Sequence, residues 1–144
     1  MIYTSLTRKA INIAYKAHEG QLDQSGIPYI FHPYAVAEMM EDEVTTCIAL
    51  LHDVLEDTSV TDEELSKEFP EEVMEPLRLL NHDPSEPYME YIRRIKMNPI
   101  ATKVKLGDIA HNMDTSRVVN TDVTKEQIDY WQKKYTEALK VLKE

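Results

Sequence analysis

The most apolar helical pattern in the chain covers residues 44–58, which read VTTCIALLHDVLEDT. Its apolar stripe recurs at helical spacing and consists of Val44, Ile48, Leu51 and Leu55. His52 and Asp53 interrupt this pattern, although charged groups rarely lie in an apolar helix without a partner or a function. The segment therefore predicts a buried helix over residues 44–57 that also carries chemistry.

The rest of the chain shows the same helical periodicity. No segment has sustained period-two alternation, and the 144 residues contain only three glycines, so long helices joined by short turns are expected. The predicted helices cover residues 4–19, 33–41, 44–57, 61–70, 70–80, 88–96, 99–117 and 124–143, with a loop over residues 21–33 and a kink or break at Pro76. The sequence thus predicts one all-α domain over residues 1–144, a bundle of about seven or eight helices.

The charge composition limits the partners of the chain. Sixteen Lys and Arg residues against 26 Asp and Glu residues give a net charge of −10. This excess argues against nucleic-acid polymers and anionic membranes as partners, because both attract basic surfaces. No apolar run reaches the ~20 residues of a membrane span and the N-terminus lacks the apolar core of a signal peptide, so a cytoplasmic location is expected. The single cysteine, Cys47, excludes a disulfide framework and a cysteine-based zinc finger, whereas the acidic residues allow a metal site.

Helical geometry groups four polar side chains around the His52–Asp53 pair. At about 100° per residue, His52 lies one turn from Glu56, and Asp53 lies one turn from Asp57. Imidazole and carboxylate ligands without thiolates suit Mn²⁺, Fe²⁺ or Zn²⁺. The alternative is a helix face with solvated acids. The second His-Asp pair, at residues 82–83, lies in a turn-rich segment and is predicted as loop surface.

A metal ion needs further ligands from elsewhere in the chain. His32 stands at the predicted junction between a loop and a helix. Asp108 lies inside an otherwise apolar helix, where His111 and Asn112 share its face. Spacing alone leaves two alternatives open: the two polar clusters meet in one metal site, or they form separate solvent-facing helix faces.

Four motifs occur in order along the chain. They are HEGQ at residues 18–21, SGIPYIFHP at residues 25–33, ALLHDVLEDT at residues 49–58 and VKLGDIAHNM at residues 104–113. This series resembles the hydrolase domain of the RelA/SpoT family, which belongs to the HD-domain metal-dependent phosphohydrolases. The resemblance extends over about residues 5–120.

The resemblance implies an all-α HD bundle that removes the 3′-pyrophosphate from the nucleotide (p)ppGpp with the help of Mn²⁺. The metal ligands that it implies are His32, His52, Asp53 and Asp108. The pair that it implies for positioning or deprotonating the attacking water is Glu56 and Asp57. Near the nucleotide, it implies Ser25, Asn112 and Thr115. Lys105 is a further cation available to the substrate phosphates. His111 is either a hydrogen-bond partner of a metal ligand or a phosphate contact.

The resemblance is incomplete at four positions where the family usually carries basic residues. They are Asp23, Gln24, Ile109 and Asp114. Because the loss of these cations weakens phosphate binding, a second hypothesis is another phosphorylated nucleotide or dinucleotide cofactor as substrate. A third hypothesis is a metal- or nucleotide-binding regulator without turnover. With 144 residues, the chain is expected to lack the nucleotide-synthesising and regulatory domains of long family members.

Overall fold

Nine α-helices and no β-strands make up the computed structural model, which describes all 144 residues. The helices are α1 (Ser5–Ala17), α2 (Phe31–Glu38), α3 (Glu43–Leu51), α4 (Val54–Asp57), α5 (Asp62–Ser66), α6 (Glu71–Leu79), α7 (Tyr88–Lys96), α8 (Pro99–Asn112) and α9 (Lys125–Leu142), with a 3₁₀-helix (Thr115–Val118) between α8 and α9. The all-α prediction is confirmed, and α3 and α4 are two parts of one predicted helix. None of the helices combines the length and the apolar character that a membrane crossing requires.

Helix α3 forms the centre of the core. Its residues 45–51 are all buried, so this part of the helix has no solvent-facing side, as expected for a helix surrounded by others. It packs against α1, α2, α6 and α8, while α9 packs against α7 and α8. The His52–Asp53 pair therefore stands at the end of a fully enclosed helix.

The predicted helix over residues 44–57 is interrupted at His52 and Asp53. The ring of His52 donates a hydrogen bond from Nδ1 to the carbonyl of Ala49 at 2.6 Å. This contact takes the acceptor that a continuing helix would offer to the amide of Asp53. The interruption brings the Nε2 atom of His52 to 3.1 Å from Oδ2 of Asp53, so both side chains face the same point.

Helix starts agree with the predictions to within one residue where a capping side chain is present. Thr124 caps α9 in a reciprocal capping box, at the predicted position. Helix α2 begins at Phe31, two residues earlier than expected, and α8 ends at residue 112 rather than 117, because Asp114 caps the 3₁₀-helix that follows. Pro76 lies inside α6 without dividing it.

The close contact between α2 and α8 depends on Gly107. A Cβ atom at this position would lie 3.1 Å from Cε of Met40 and 3.2 Å from Cγ1 of Val36. Because Gly107 has no side chain, the two helices approach closely here. This approach lets His32 of α2 contact Asp108 of α8.

Candidate active site

Three parts of the chain bring two histidines and two aspartates together. His32 comes from α2, Asp108 from α8, and His52 and Asp53 from the break between α3 and α4. The Nε2 atom of His32 lies 2.8 Å from Oδ1 of Asp108, and the Nε2 atom of His52 lies 3.4 Å from the same oxygen. His32, His52 and Asp53 offer ligand atoms within 4.8 Å of one another. The two polar clusters of the sequence therefore meet in space, and we call these four residues the His–Asp cluster.

His52 turns an unpartnered nitrogen toward the carboxylates. Its Nδ1–H group donates a hydrogen bond to the carbonyl of Ala49, so the neutral ring has its lone pair on Nε2. This Nε2 atom is buried and makes no well-aligned hydrogen bond, although the carboxylates of Asp53 and Asp108 lie 3.1 and 3.4 Å away. Burial alone would lower the pKa of His52, but the carboxylates of Asp53 and Asp108 hold it well above its ordinary value. The carboxylates therefore attract positive charge to this nitrogen, and a divalent cation satisfies the same demand.

His111 supports His32 from behind the cluster. The Nδ1 atoms of the two rings are 2.7 Å apart, and the rings stack with their centroids 4.9 Å apart. Burial, and then the charge of Arg117, lower the pKa of His111 to about 4, so this ring is neutral at neutral pH. The contact between the two Nδ1 atoms fixes the orientation of the His32 ring, whose Nε2 atom faces Asp108. The structure thus places His111 against a candidate metal ligand rather than in a cavity wall.

Lys105 lies against Asp108. Its ammonium is buried at 2.7 Å from Oδ2 of Asp108, while Asn112 donates a hydrogen bond to Oδ1 at 3.1 Å. Burial alone would raise the pKa of Asp108, but Lys105 and the two cluster histidines hold it well below its ordinary value. Lys105, expected as a phosphate contact, is therefore engaged in keeping Asp108 ionised.

Glu56 and Asp57 stand on α4 at the solvent side of the cluster. Both side chains are exposed, and together with Asp53 they offer oxygen atoms within 4.8 Å of one another. Partial loss of hydration, together with the nearby carboxylates, raises the pKa of both residues. Glu56 accepts a hydrogen bond from the amide of His82 at 2.7 Å. His82, predicted as loop surface, is half-buried and lines the site.

Two cavities adjoin the cluster and share part of their walls. The larger cavity has a volume of about 410 Å³, and its wall includes the three residues expected near a nucleotide, Ser25, Asn112 and Thr115. The smaller cavity has a volume of about 190 Å³ and contains the whole His–Asp cluster with Glu56, Asp57 and Lys105. The residues common to both walls are Tyr29, His32, Asn112 and Tyr135. Since pockets for drug-sized ligands measure roughly 300–1,000 Å³, the larger cavity suits such a ligand and the smaller one suits only part of it.

Asp23, which stands where the resemblance leads us to expect a basic residue, forms hydrogen bonds and an ion pair within the protein. Its carboxylate accepts hydrogen bonds from the amides of Ser25 and Ile27 and from the hydroxyl of Ser25. It also pairs with Arg117, whose guanidinium lies 3.2 Å away and lines the larger cavity. The larger cavity therefore contains a cation, but a carboxylate already compensates its charge.

At the other three positions where the resemblance leads us to expect a basic residue, Asp114 has a structural role and Ile109 and Gln24 carry no charge. Asp114 caps the 3₁₀-helix by accepting hydrogen bonds from the amide and the hydroxyl of Ser116. Ile109 is fully buried in the core, so its side chain does not reach either cavity. Gln24 lines the larger cavity without a charge. The shortage of free cations indicated by the sequence is thus present in the larger cavity.

Helix α9 completes both cavities with residues that sequence reasoning did not assign to the site. Trp131 lines the larger cavity, Lys134 lines the smaller one, and Tyr135 lines both. Helical spacing of Trp131 and Tyr135 indicates only an inward-facing stripe. A signal was nevertheless present, because Lys134 lies on the same helical face as these two aromatic residues, where a buried charge needs a reason.

Comparison with known proteins shows which proteins this chain is similar to. The profile of the HD domain matches residues 10–80. The bifunctional (p)ppGpp synthase/hydrolase SpoT of Escherichia coli K12 is 39% identical over 123 residues, which are 75% of this chain and 18% of SpoT. The guanosine-3′,5′-bis(diphosphate) 3′-pyrophosphohydrolase of Borreliella burgdorferi is 50% identical over 70 residues, which are 46% of this chain and 10% of that protein. The chain spans less than a fifth of the length of these relatives.

A solved structure supports the same relationship. It is described as a metazoan ortholog of SpoT that hydrolyses ppGpp, and it superposes with a TM-score of 0.76 at 27% identity, covering 96% of this chain and 88% of that one. The chain contains an HD domain, which the family profile matches at residues 10–80. Within that class it is homologous to the SpoT/RelA hydrolases, and the resemblance inferred from the four motifs is confirmed.

Proposed function

We propose that this chain is a metal-dependent hydrolase that removes the 3′-pyrophosphate from (p)ppGpp by attack of water. The observation that carries the proposal is the position of the His–Asp cluster, which lies in the smaller cavity and shares His32 with the wall of the larger one. A nucleotide whose base and sugar occupy the larger cavity would extend its phosphate groups into the smaller one. The activities named for the homologous proteins support the same substrate.

The residues of the His–Asp cluster fit a divalent cation, for which we propose Mn²⁺. His32, His52, Asp53 and Asp108 would hold it, because two imidazoles and two carboxylates without a thiolate suit Mn²⁺, Fe²⁺ or Zn²⁺. The unpartnered Nε2 atom of His52 supports this assignment. When bound, such an ion lowers the pKa of water and offsets negative charge on phosphoryl oxygens.

Glu56 and Asp57 are the proposed acceptors of the proton from the attacking water. Both lie on α4, directly after the cluster residue Asp53, and both line the smaller cavity. Their raised pKa values bring them closer to the working pH, where a general base is most effective. The hydrogen bond from the amide of His82 holds the carboxylate of Glu56 in place.

The larger cavity is the proposed position of the base and the sugar. Ser25 and Thr115 offer hydroxyl groups there, and Asn112 offers an amide. The indole of Trp131 provides an aromatic surface in the same wall, and base–aromatic stacking contributes about 1–3 kcal/mol per base in other proteins.

The test is incubation of the purified chain with Mn²⁺ and a panel of nucleotides, with the products separated by chromatography. We expect release of pyrophosphate from (p)ppGpp, loss of this activity in Asp53→Ala, and retention in Asp129→Ala, which removes the same charge at an exposed position. Metal binding without turnover of any nucleotide would instead support the regulator hypothesis. Failure to bind Mn²⁺ stoichiometrically would contradict the proposed centre.

A second candidate substrate is a different phosphorylated nucleotide or a dinucleotide cofactor. The charge of the larger cavity favours it, because Arg117 is already paired with Asp23 and Ile109 offers no cation. A substrate with fewer phosphates on its nucleoside suits such a cavity better than (p)ppGpp does. Turnover of such a nucleotide, with (p)ppGpp left intact in the same panel, would establish this alternative.

A further inference from the structure

Lys134 is a half-buried cation without a counter-ion. It lies on α9 and lines the smaller cavity, and its ammonium makes no hydrogen bond or ion pair with any protein group. Its ammonium instead lies 4.3 Å from the ring centroid of Tyr88 and 5.5 Å from that of Tyr135. These cation–π contacts hold the charge in position without neutralising it.

The other cation of the smaller cavity is not available in the same way. Lys105 also faces the ring of Tyr88, at 5.9 Å, but its ammonium forms a buried ion pair with Asp108. Burial, and then the charge of Lys105, lower the pKa of Lys134, as expected for a cation that lacks a carboxylate partner. Lys134 is therefore the cation of this cavity that forms no ion pair, although the carboxylates of Asp108 and Glu56 act on it from a greater distance.

We infer that Lys134 binds the phosphate groups of the substrate in the smaller cavity. The inference rests on the proposed function, and it adds a substrate-binding residue that lies outside the four motifs. An anionic diphosphate supplies the counter-charge that Lys134 lacks, in a cavity where reduced hydration strengthens the contact. Lys134 thereby supplies a cation to the smaller cavity, whereas the positions of Asp23 and Gln24 line the larger one.

The experiment measures binding of inorganic pyrophosphate by isothermal titration calorimetry, at a fixed concentration of Mn²⁺. We expect Lys134→Gln to weaken binding by about tenfold or more, as for the loss of a hydrogen bond between charged groups. Lys133→Gln removes the same charge from the exposed neighbouring position and should change the affinity by less than about twofold. Lys134→Arg, which keeps the charge, should retain most of the affinity, and circular dichroism checks that each variant is folded.

Equal affinities for the wild type and Lys134→Gln would overturn the inference, as would a wild type that does not bind pyrophosphate. Kinetics then separate the inference from the proposed function. If Lys134→Gln weakens pyrophosphate binding but the wild type does not hydrolyse (p)ppGpp, the inference stands and the substrate is wrong. If (p)ppGpp is hydrolysed with the same KM by wild type and Lys134→Gln, the function stands and the inference fails.

Discussion

His52 joins the local fold to the chemistry within a single side chain. Its Nδ1 atom binds the carbonyl of Ala49 and ends α3, while its Nε2 atom faces the carboxylates of Asp53 and Asp108. A substitution of His52 therefore changes both the backbone and the candidate metal site. Asp53 and the residues around the cluster give cleaner tests, because their side chains do not terminate α3.

Glu56→Gln should lower kcat by about 10²–10⁴-fold, because it removes one of the two proposed proton acceptors, Glu56 and Asp57. In the wild type, kcat should fall as the pH drops through a pKa above the ordinary 4.5 of glutamate, since protonation removes the basic form. In the variant, the acidic limb of the pH–rate profile should shift to the pKa of Asp57, the other proposed acceptor, while Mn²⁺ binding is retained. Glu72→Gln, at an exposed position on α6, is the control. An unchanged kcat in Glu56→Gln would contradict the assignment.

His111→Ala distinguishes the two roles that the sequence left open. If His111 orients His32, the variant should bind Mn²⁺ about 10–100-fold more weakly, since the hydrogen bond between their Nδ1 atoms is lost. Calorimetric titration with Mn²⁺ measures this change without turnover. An unchanged Mn²⁺ affinity with a raised KM would instead identify His111 as a phosphate contact.

At the scale of helices, the sequence predicts starts better than interruptions. Thr124 marks the start of α9 because capping is a local interaction between residues close in the chain. The break at His52 was missed because the apolar periodicity continues through it, and a side-chain contact with Ala49 overrides that pattern. Local spacing grouped the polar residues around His52 and around Asp108, and the resemblance to the family implied the full set of site residues. The contact of Lys134 with Tyr88, by contrast, requires α9 to pack on α7.

Gly107→Val should lower the free energy of unfolding by about 1–3 kcal/mol, because its side chain would enter the contact between α2 and α8. Valine is the better helix former, so the loss must come from packing rather than from helix propensity. The same variant should bind Mn²⁺ more weakly, since these helices carry His32 and Asp108. Urea denaturation and calorimetry measure the two effects. Ala110→Val, at an exposed position on α8, should change stability by about 0.5 kcal/mol or less.

At the scale of the whole molecule, the site joins parts of the chain that are far apart in sequence. Arg117 and Asp23 pair across 94 residues, and His32 meets Asp108 across 76. No local pattern encodes such pairs, so sequence reasoning counted Asp23 as an unmatched negative charge. The fold gives it a partner, and this pair ties the loop before α2 to the segment after α8.

Mn²⁺ should stabilise the folded chain, because the unfolded chain does not hold the cluster together. At a free concentration about 100 times the Kd, the expected gain in the free energy of unfolding is about 2.7 kcal/mol. Urea denaturation with and without Mn²⁺ measures this gain, and a chelator should reverse it. Asp53→Ala should lose most of the gain. Equal stabilisation of the variant and the wild type would show that the ion binds elsewhere.

The walls shared by the two cavities have a consequence for the order of events after cleavage. A bond broken beside Tyr29, His32, Asn112 and Tyr135 leaves the nucleoside part on one side and the released phosphates on the other. Because the two products would occupy different cavities, we expect them to depart in random order. The two products should also bind to the enzyme at the same time when both are added as inhibitors. A double-inhibition plot should then show intersecting lines. Parallel lines would indicate mutually exclusive binding.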